Sequence, residues 1–448
     1  MTLETKLTEA LDAFWNELID PTDALRGDNG ELWQPVGVWG PHSASALELG
    51  PGALETIRTE CRALALTNEF AINGHENRIS YIVGAGHRYH ATLKRDASGS
   101  AELAQGVQRV IDDFRRLNQW QSRQQEIVRR LDRDGEVFLR LFADGAGDTR
   151  VRFIEPDQIA PPAGALGDAA HNQGIVTARH DVETVLGYYI DGELVDASQV
   201  QHRKANVDRN VKRGLPLFTS VRKNLRRAEK LLRNMSVVAE IQSAIALIRK
   251  HRSATRNGVE QFVATSSTGA ALDSTGRTKR LTQYGPGTIL DAPAGLEYDF
   301  PGAKIDAASY VAVLQAELRA IAARLVMPEF MFTSDASNAN FASTMVAEGP
   351  AMRMFQRQQA AMIEDDLAVL WRAVDNAITV GRLSPVVRSA VEIQAVAPSL
   401  ELRDRLSEAK ADEIAYEHRI LSPQSWSQRI GVDYDQEQQN WRLHKNAA

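Results

Sequence analysis

Between residues 285 and 359 the chain reads as a helix, a proline stop, a short polar loop and a second, longer helix. This order constrains the fold more than any other stretch. Tyr310, Val313, Leu314, Leu318, Ile321 and Leu325 recur at spacings of three and four, which predicts a helix with one apolar face. Pro328 ends it, because the residue before a proline is pushed out of the helical region. Thr333, Ser334, Asp335, Ser337, Asn338 and Asn340 then make a run of short polar side chains, which favour turns and helix caps. A second helix is expected from about Ser343. Its pattern (Phe341, Met345, Met352, Phe355, Ile363, Leu367, Leu370, Val374, Ile378) continues across Gly349-Pro350. An interior proline removes a backbone hydrogen bond at a cost of ~3 kcal/mol, so a kink at Gly349 and Pro350 is the expectation, with two separate helices as the alternative. Upstream, Gly/Pro turns separate two short apolar runs, at 288–290 and 296–298.

The rest of the chain alternates helical blocks with one β-rich block. An amphipathic helix (Leu3, Leu7, Leu11, Phe14, Leu18) opens it, and a Pro/Gly/Trp-rich loop carrying Trp33 and Trp39 follows. Helical spacing covers 53–81 and again 103–131, and Asp134-Gly135 breaks the second run. Residues 134–203 read as a small β-rich insert: Val137, Leu139 and Leu141 alternate with Phe138, Arg140 and Phe142, and Asp191-Gly192 is a hairpin signal. A long helix is expected over 218–251, strand-and-turn segments over 252–300, and helices with breaks at Pro398 and Pro423 over 385–448. The fold class expected is α+β, mainly helical.

Composition narrows the function classes. The 448 residues suit about three domains or subdomains, with enough apolar side chains for a real core. One cysteine, Cys61, excludes an intramolecular disulfide and the usual multi-cysteine zinc site. No apolar run approaches the ~18 residues of a membrane span, so no membrane partner is expected. With 52 basic and 58 acidic residues the net charge is −6, which argues against a protein that grips DNA through many phosphates. It is neutral toward one that DNA slides past, since each neutralised phosphate adds affinity.

Two constellations allow rival readings. Arg222, Lys223, Arg226, Arg227, Lys230 and Arg233 line one side of a helix. They read as DNA contacts, or as a face paired with acidic groups within a subunit assembly, and the acidic overall charge favours the second. Glu364, Asp365 and Asp366 offer carboxylates for a metal, but an acidic run on a helix is ordinarily a solvated face. Catalytic patterns are missing. There is no G-x-x-x-x-G-K-[ST] phosphate loop, no H-E-x-x-H and no G-x-S-x-G. Asp132, Asp134 and Glu136 supply too few alternating oxygens for a calcium loop. No cofactor, no metal and no catalytic residue is expected.

The helix–loop–helix passage, the Tyr81-Ile82-Val83-Gly84-Ala85-Gly86 turn after an Arg/Asn-rich helix, the Arg213-Gly214-Leu215-Pro216 passage and the closing 421–439 segment together resemble the portal proteins of lambda-like tailed bacteriophages. The resemblance implies a portal fold with wing, stem, clip and crown. Residues 1–215 would be a wing region containing the insert, 216–251 a long helix leading into the stem, and 252–300 the clip. Residues 301–328 would be the second stem helix, 329–342 the loop lining the DNA tunnel, 343–384 the kinked wing helix and 385–448 the crown. It implies a dodecameric ring at one capsid vertex of a virion or prophage particle, assembled in the host bacterial cytoplasm. The implied partners are double-stranded DNA in transit, the terminase large subunit, major capsid and scaffold proteins, and a head-completion or adaptor protein. The other function classes weighed are a terminase or nuclease subunit and a head–tail adaptor. The first two lack their phosphate loop or acidic cluster, and adaptors are usually much shorter.

Overall fold

The computed structural model describes residues 51–94, 101–162, 164, 170–179, 181–250, 288–292, 307–335, 341–400, 405–430, 432 and 434–447. The opening helix, the Trp33/Trp39 loop and most of 252–300 lie outside them, as do Ser337, Asn338 and Asn340.

Two helices occupy the first helical block where one continuous pattern was read: α1 (Pro51–Thr67) and α2 (Glu69–Ile82). Asn68 makes the break. It is extended and fully buried, its Oδ1 accepts from Ala71 N at 3.1 Å, and its Nδ2 donates to Leu225 O at 3.3 Å. That is an N-cap serving a second helix at once. The 83–86 turn uses left-handed Gly84 and Gly86 to feed β1 (Arg88–Leu93).

The next block is likewise two helices, α3 (Ala101–Asn118) and α4 (Trp120–Asp134), separated by Gln119 in the left-handed region (φ 47°). Asn118 explains the break, because its side chain is used as a strand partner. It donates to Thr149 O at 2.8 Å and accepts from Val151 N at 2.7 Å. Gly135, also left-handed, ends α4 and starts the sheet β3–β2–β7, formed by β2 (Glu136–Ala143), β3 (Thr149–Ile154) and β7 (Val200–Lys204). A second antiparallel sheet holds β4 (Ile175–Ala178), β5 (Asp181–Ile190) and β6 (Glu193–Asp196). Asp191 and Gly192 form its hairpin turn with positive φ, as the dipeptide predicts.

The long helix α5 (Arg222–Ala244) stops short of the expected 251. Residues Ile245–Lys250 instead form β8, parallel to β9 (Thr288–Ala292). The run Ile245-Ala246-Leu247-Ile248 fits either state by periodicity, and pairing decides it. Then come α6 (Ala307–Leu325), α7 (Glu329–Thr333) and α8 (Phe341–Thr379), which runs on as one helix with Pro350 inside. After the one-turn α9 (Val387–Ala390), β10 (Val391–Val396) pairs antiparallel with β1, where the sequence reading had only helix. The alternation was there to see, with Val391 and Ile393 buried and Glu392 and Gln394 exposed. The chain closes with α10 (Arg405–Glu417), α11 (Pro423–Ile430) and α12 (Tyr434–Ala447). The fold class is α+β, mainly helical.

Among the described residues, buried apolar side chains fall into two clusters. The large one joins α1–α6, α8 and β10, and the inner stripe of α8 (Val369, Leu370, Ala373, Val374, Ala377) runs through it. Each such side chain contributes ~1.5–3 kcal/mol where it is large and fully buried. The small cluster (Phe138, Ile154, Ile159, Ile175, Tyr188, Ile190, Val195, Val200) fills the space between the two three-stranded sheets. Strand β2 serves both, with Val137 and Leu139 in one and Phe138 in the other. Cys61 is a free, fully buried thiol, pushed up to about 12 by burial, and acts as an apolar side chain of α1.

Candidate functional site: the root of the polar loop

The polar run Thr333–Asn340 connects α7 to α8, and the described residues up to Asp335 show how the chain leaves α7. Helix α6 ends in a two-bond cap, Met327 N to Ala322 O at 3.0 Å and Val326 N to Ala323 O at 3.2 Å. This places Val326 at φ 55°, where glycine is the usual residue. A β-branched residue there is strained, and such strain persists only when the surroundings hold it. Pro328 then caps α7 with φ −65°, and Ser334 leaves it in the left-handed region at φ 59°. Thr333 Oγ1 donates to Glu329 O at 2.9 Å, and Arg319 of α6 pairs with Glu329 at 2.7 Å.

Helix α2 grips this root. Asn77 Nδ2 donates to Met331 O at 2.9 Å, and Asn73 Nδ2 donates to Phe332 O. Phe332 is fully buried beside Phe70, ring centroids 5.9 Å apart. Gly74 permits the approach, since a Cβ there would lie 2.6 Å from Leu325 Cδ1 and 3.2 Å from Phe332 Cε2. The C-terminal end of α2 meets α8. Tyr81 stacks on Phe355 at 4.8 Å, Gln359 donates to Tyr81 O at 3.0 Å, and Arg78 reaches Met354 Sδ at 3.4 Å.

Behind the root lies a set of buried charges that sequence reasoning missed. Asp132, Asp134 and Glu136, spaced by two across the α4–β2 corner, are all buried. Each takes an arginine from α1 or α2: Arg78 to Asp132 (3.0 Å), Arg62 to Asp134 (2.6 Å) and Arg58 to Glu136 (2.5 Å). Glu136 also accepts from Arg213 (2.7 Å), from Gly214 N (2.9 Å) and lies 3.1 Å from His202 Nε2. Burial alone would raise its carboxyl, but Arg213, the His202 hydrogen bond and Arg58 outweigh that and hold it far below the ordinary range. Burial draws the Arg58 guanidinium down to about 10, against the opposing pull of Glu136. The Arg213-Gly214-Leu215-Pro216 passage now has a physical account. Arg213 reaches Glu136, while Gly214 and Gly135 let two backbones meet so closely that a Cβ on Gly214 would fall 2.0 Å from Gly135 O. The alternate spacing of Asp132, Asp134 and Glu136 facing an arginine-rich helix was the available signal.

The acidic run of α8 is not a uniformly solvated face. Glu364 is exposed, but Asp366 is fully buried. It accepts from Tyr89 Oη (2.5 Å), Gln124 Nε2 (2.7 Å), Trp120 Nε1 (3.4 Å) and Arg203 Nη2 (2.7 Å). The i→i+2 step turned one carboxylate into the core. Among the described residues no cluster of three or more His, Cys, Asp or Glu could hold a metal ion, and no helix is long and apolar enough to cross a membrane.

The basic side of α5 finds acidic partners within the chain. Arg222 pairs with Glu60 at 3.3 Å and Arg226 with the same carboxylate at 3.7 Å; Arg227 pairs with Glu317 at 3.1 Å and Arg233 with Glu229 at 3.2 Å. Lys223 and Lys230 are half-buried and engaged as well. Gly349 and Pro350 sit inside α8. Of the six loop residues, Thr333, Ser334 and Asp335 belong to the root just described, and the other three lie outside the described residues.

The family model described as "Phage portal protein, lambda family" matches residues 35–359, well over half of the chain. The chain belongs to the lambda family of phage portal proteins. No curated protein sequence matches it. Among solved structures it is similar to a chain of "Virion of native gene transfer agent (GTA) particle", at 14% identity and TM-score 0.45, covering 86% of this chain and 94% of that one. It is similar to a chain of "Neck of native GTA particle computed with C12 symmetry" at 12% identity and TM-score 0.43, covering 88% and 95%. An HK97 family phage portal protein from Corynebacterium diphtheriae shares 14% identity at TM-score 0.33, over 64% of this chain and 83% of that one.

Proposed function

We propose that the chain assembles into a closed ring, dodecameric, at one vertex of a capsid, through which double-stranded DNA is packaged and later ejected. The observation that carries this reading is the portal-family match across residues 35–359. In this reading 1–215 form the wing with its β insert, 216–251 and 301–328 the stem, 252–300 the clip, 343–384 the long wing helix and 385–448 the crown. Residues 329–342 line the tunnel. Asn338 and Asn340 carry no charge, so they touch passing phosphates without holding them. The basic residues of α5, already paired to Glu60 and Glu317, steady the stem rather than grip DNA. The ring itself performs no chemistry. Terminase docks on it and supplies nucleotide hydrolysis, capsid and scaffold proteins surround it, and an adaptor closes it after packaging. Negative-stain images of the purified chain should show rings with a central hole, and mass photometry a species near a dozen subunits. Closed rings need heterologous interfaces, so a chain that stays monomeric at micromolar concentration in every salt condition would overturn the reading.

A further inference from the structure

We propose that α2 is the shared support of the tunnel loop, and that Asn73 and Asn77 are positioning residues that set where the loop enters the DNA path. The inference rests on the proposed reading of 329–342 as tunnel-lining, and is carried by the geometry of the described residues of α2, α7 and α8.

Three observations converge on α2. First, its two asparagine amides bond the carbonyls of Met331 and Phe332, the last turn before the chain departs for the loop. These are side-chain contacts to backbone, so they fix the path of the chain and not the identity of the loop. Second, α7 is bracketed by two non-glycine residues in the left-handed region, Val326 and Ser334. A five-residue helix cannot hold such strain alone, because a short isolated helix is marginal in water. The restraint comes from outside, and on the α2 side it consists of Asn73, Asn77, Phe70 and the close approach at Gly74. Third, the same helix holds α8, which receives the chain on the far side of the loop, through Tyr81, Arg78 and Gln359. The helices on both sides of the loop are therefore referred to one rigid element. That element is itself anchored in the buried carboxylates by Arg78 on Asp132.

The test uses rings and DNA-filled particles built from the full chain. Three variants are compared with wild type: Asn73→Ala with Asn77→Ala; Asn73→Asp with Asn77→Asp, which keeps volume and removes both donors; and Gly74→Ala, which keeps the donors and pushes on Leu325 and Phe332. A deletion of residues 334–338 serves as reference for a lost loop. All three variants should form rings as wild type does. In purified rings, amide exchange across 329–335 should quicken roughly tenfold, the change that ~1.4 kcal/mol of lost local stability produces. The fraction of particles retaining DNA should fall by at least half of the drop seen with the deletion. Unchanged exchange in the asparagine variants would overturn the clamp. Faster exchange with DNA retention at wild-type level, while the deletion loses DNA, would overturn the positioning role and leave the tunnel-loop reading standing. If the deletion itself retains DNA as wild type does, the tunnel-loop reading falls and the positioning role with it.

Discussion

Glu136 meets two guanidinium groups, an imidazole and a backbone N–H with no solvent at all. Replacing it with glutamine leaves Arg58 and Arg213 as buried, uncompensated charges, and removing one partner of such a set destabilises by about 3–5 kcal/mol. Chemical denaturation of Glu136→Gln should show that loss at neutral pH. The pH dependence has a definite sign. The folded carboxyl is held below its unfolded value, so its contribution is complete above about pH 4.3 and drains away as pH falls further toward the lowered pKa. Wild type should lose stability on that acid limb, and the glutamine variant should show a shallower slope there. The acidic run of α8 separates in the same manner. Asp366→Ala, which strips Arg203 of its buried partner, should cost about 3–5 kcal/mol, whereas exposed Glu364→Ala should stay within about 0.5 kcal/mol. Purified rings carrying both changes should be as inert toward DNA and magnesium as wild type. A magnesium-dependent cleavage abolished by these substitutions would contradict a purely structural role.

At the scale of elements, the strained helix end is the part to test. Val326 is substantially exposed, so little packing is lost on its removal. Its left-handed backbone costs ~1–2 kcal/mol, against ~0.5–1 kcal/mol for the extra freedom of glycine in the unfolded chain. Val326→Gly should therefore raise the melting temperature slightly, and Gln119→Gly should act in the same direction at the α3–α4 break. A fall in either case would mean that the side chain does more than its exposure suggests. These breaks were also where the sequence was hardest to read. Helical periodicity gave the helical runs that hold α1–α6 and α8, because apolar spacing survives any one residue, but it missed the five-residue α7, which falls where a loop was expected after Pro328. It did not show that Asn68 and Gln119 split two of those runs, because an N-cap shared with Leu225 and an asparagine borrowed by β3 are tertiary facts. The β1–β10 pair was missed for a related reason: its partners lie some 300 residues apart, and six residues of alternation carry little weight alone. Of the candidate site, the Pro328 stop after α6 was legible from the sequence. The grip of α2 was not, since Asn73 and Asn77 look like ordinary surface residues until Phe332 arrives beside them.

For the whole molecule, strand β2 is the feature with the widest reach. It carries Val137 and Leu139 into the large core and Phe138 into the small one, and its first residue is Glu136. Amide exchange at Ile127 and Val369 of the large core should show the same opening free energy as at Tyr188 and Val195 of the small one. Two separate values would show that the sheets between residues 134 and 203 melt independently. The shared wall also bears on how such chains can be recombined. A cassette exchanged between relatives along its apparent borders, 136 to 204, would carry away Val137, Leu139, Leu141 and Val151 of the large core and the acceptor of Arg58. A cassette cut between Glu155 and Gln199 would leave β2, β3 and β7 in place. The interchangeable unit is therefore smaller than the β insert looks, and natural mosaics of these genes should change sequence inside the strands' outer loops rather than at the insert's ends.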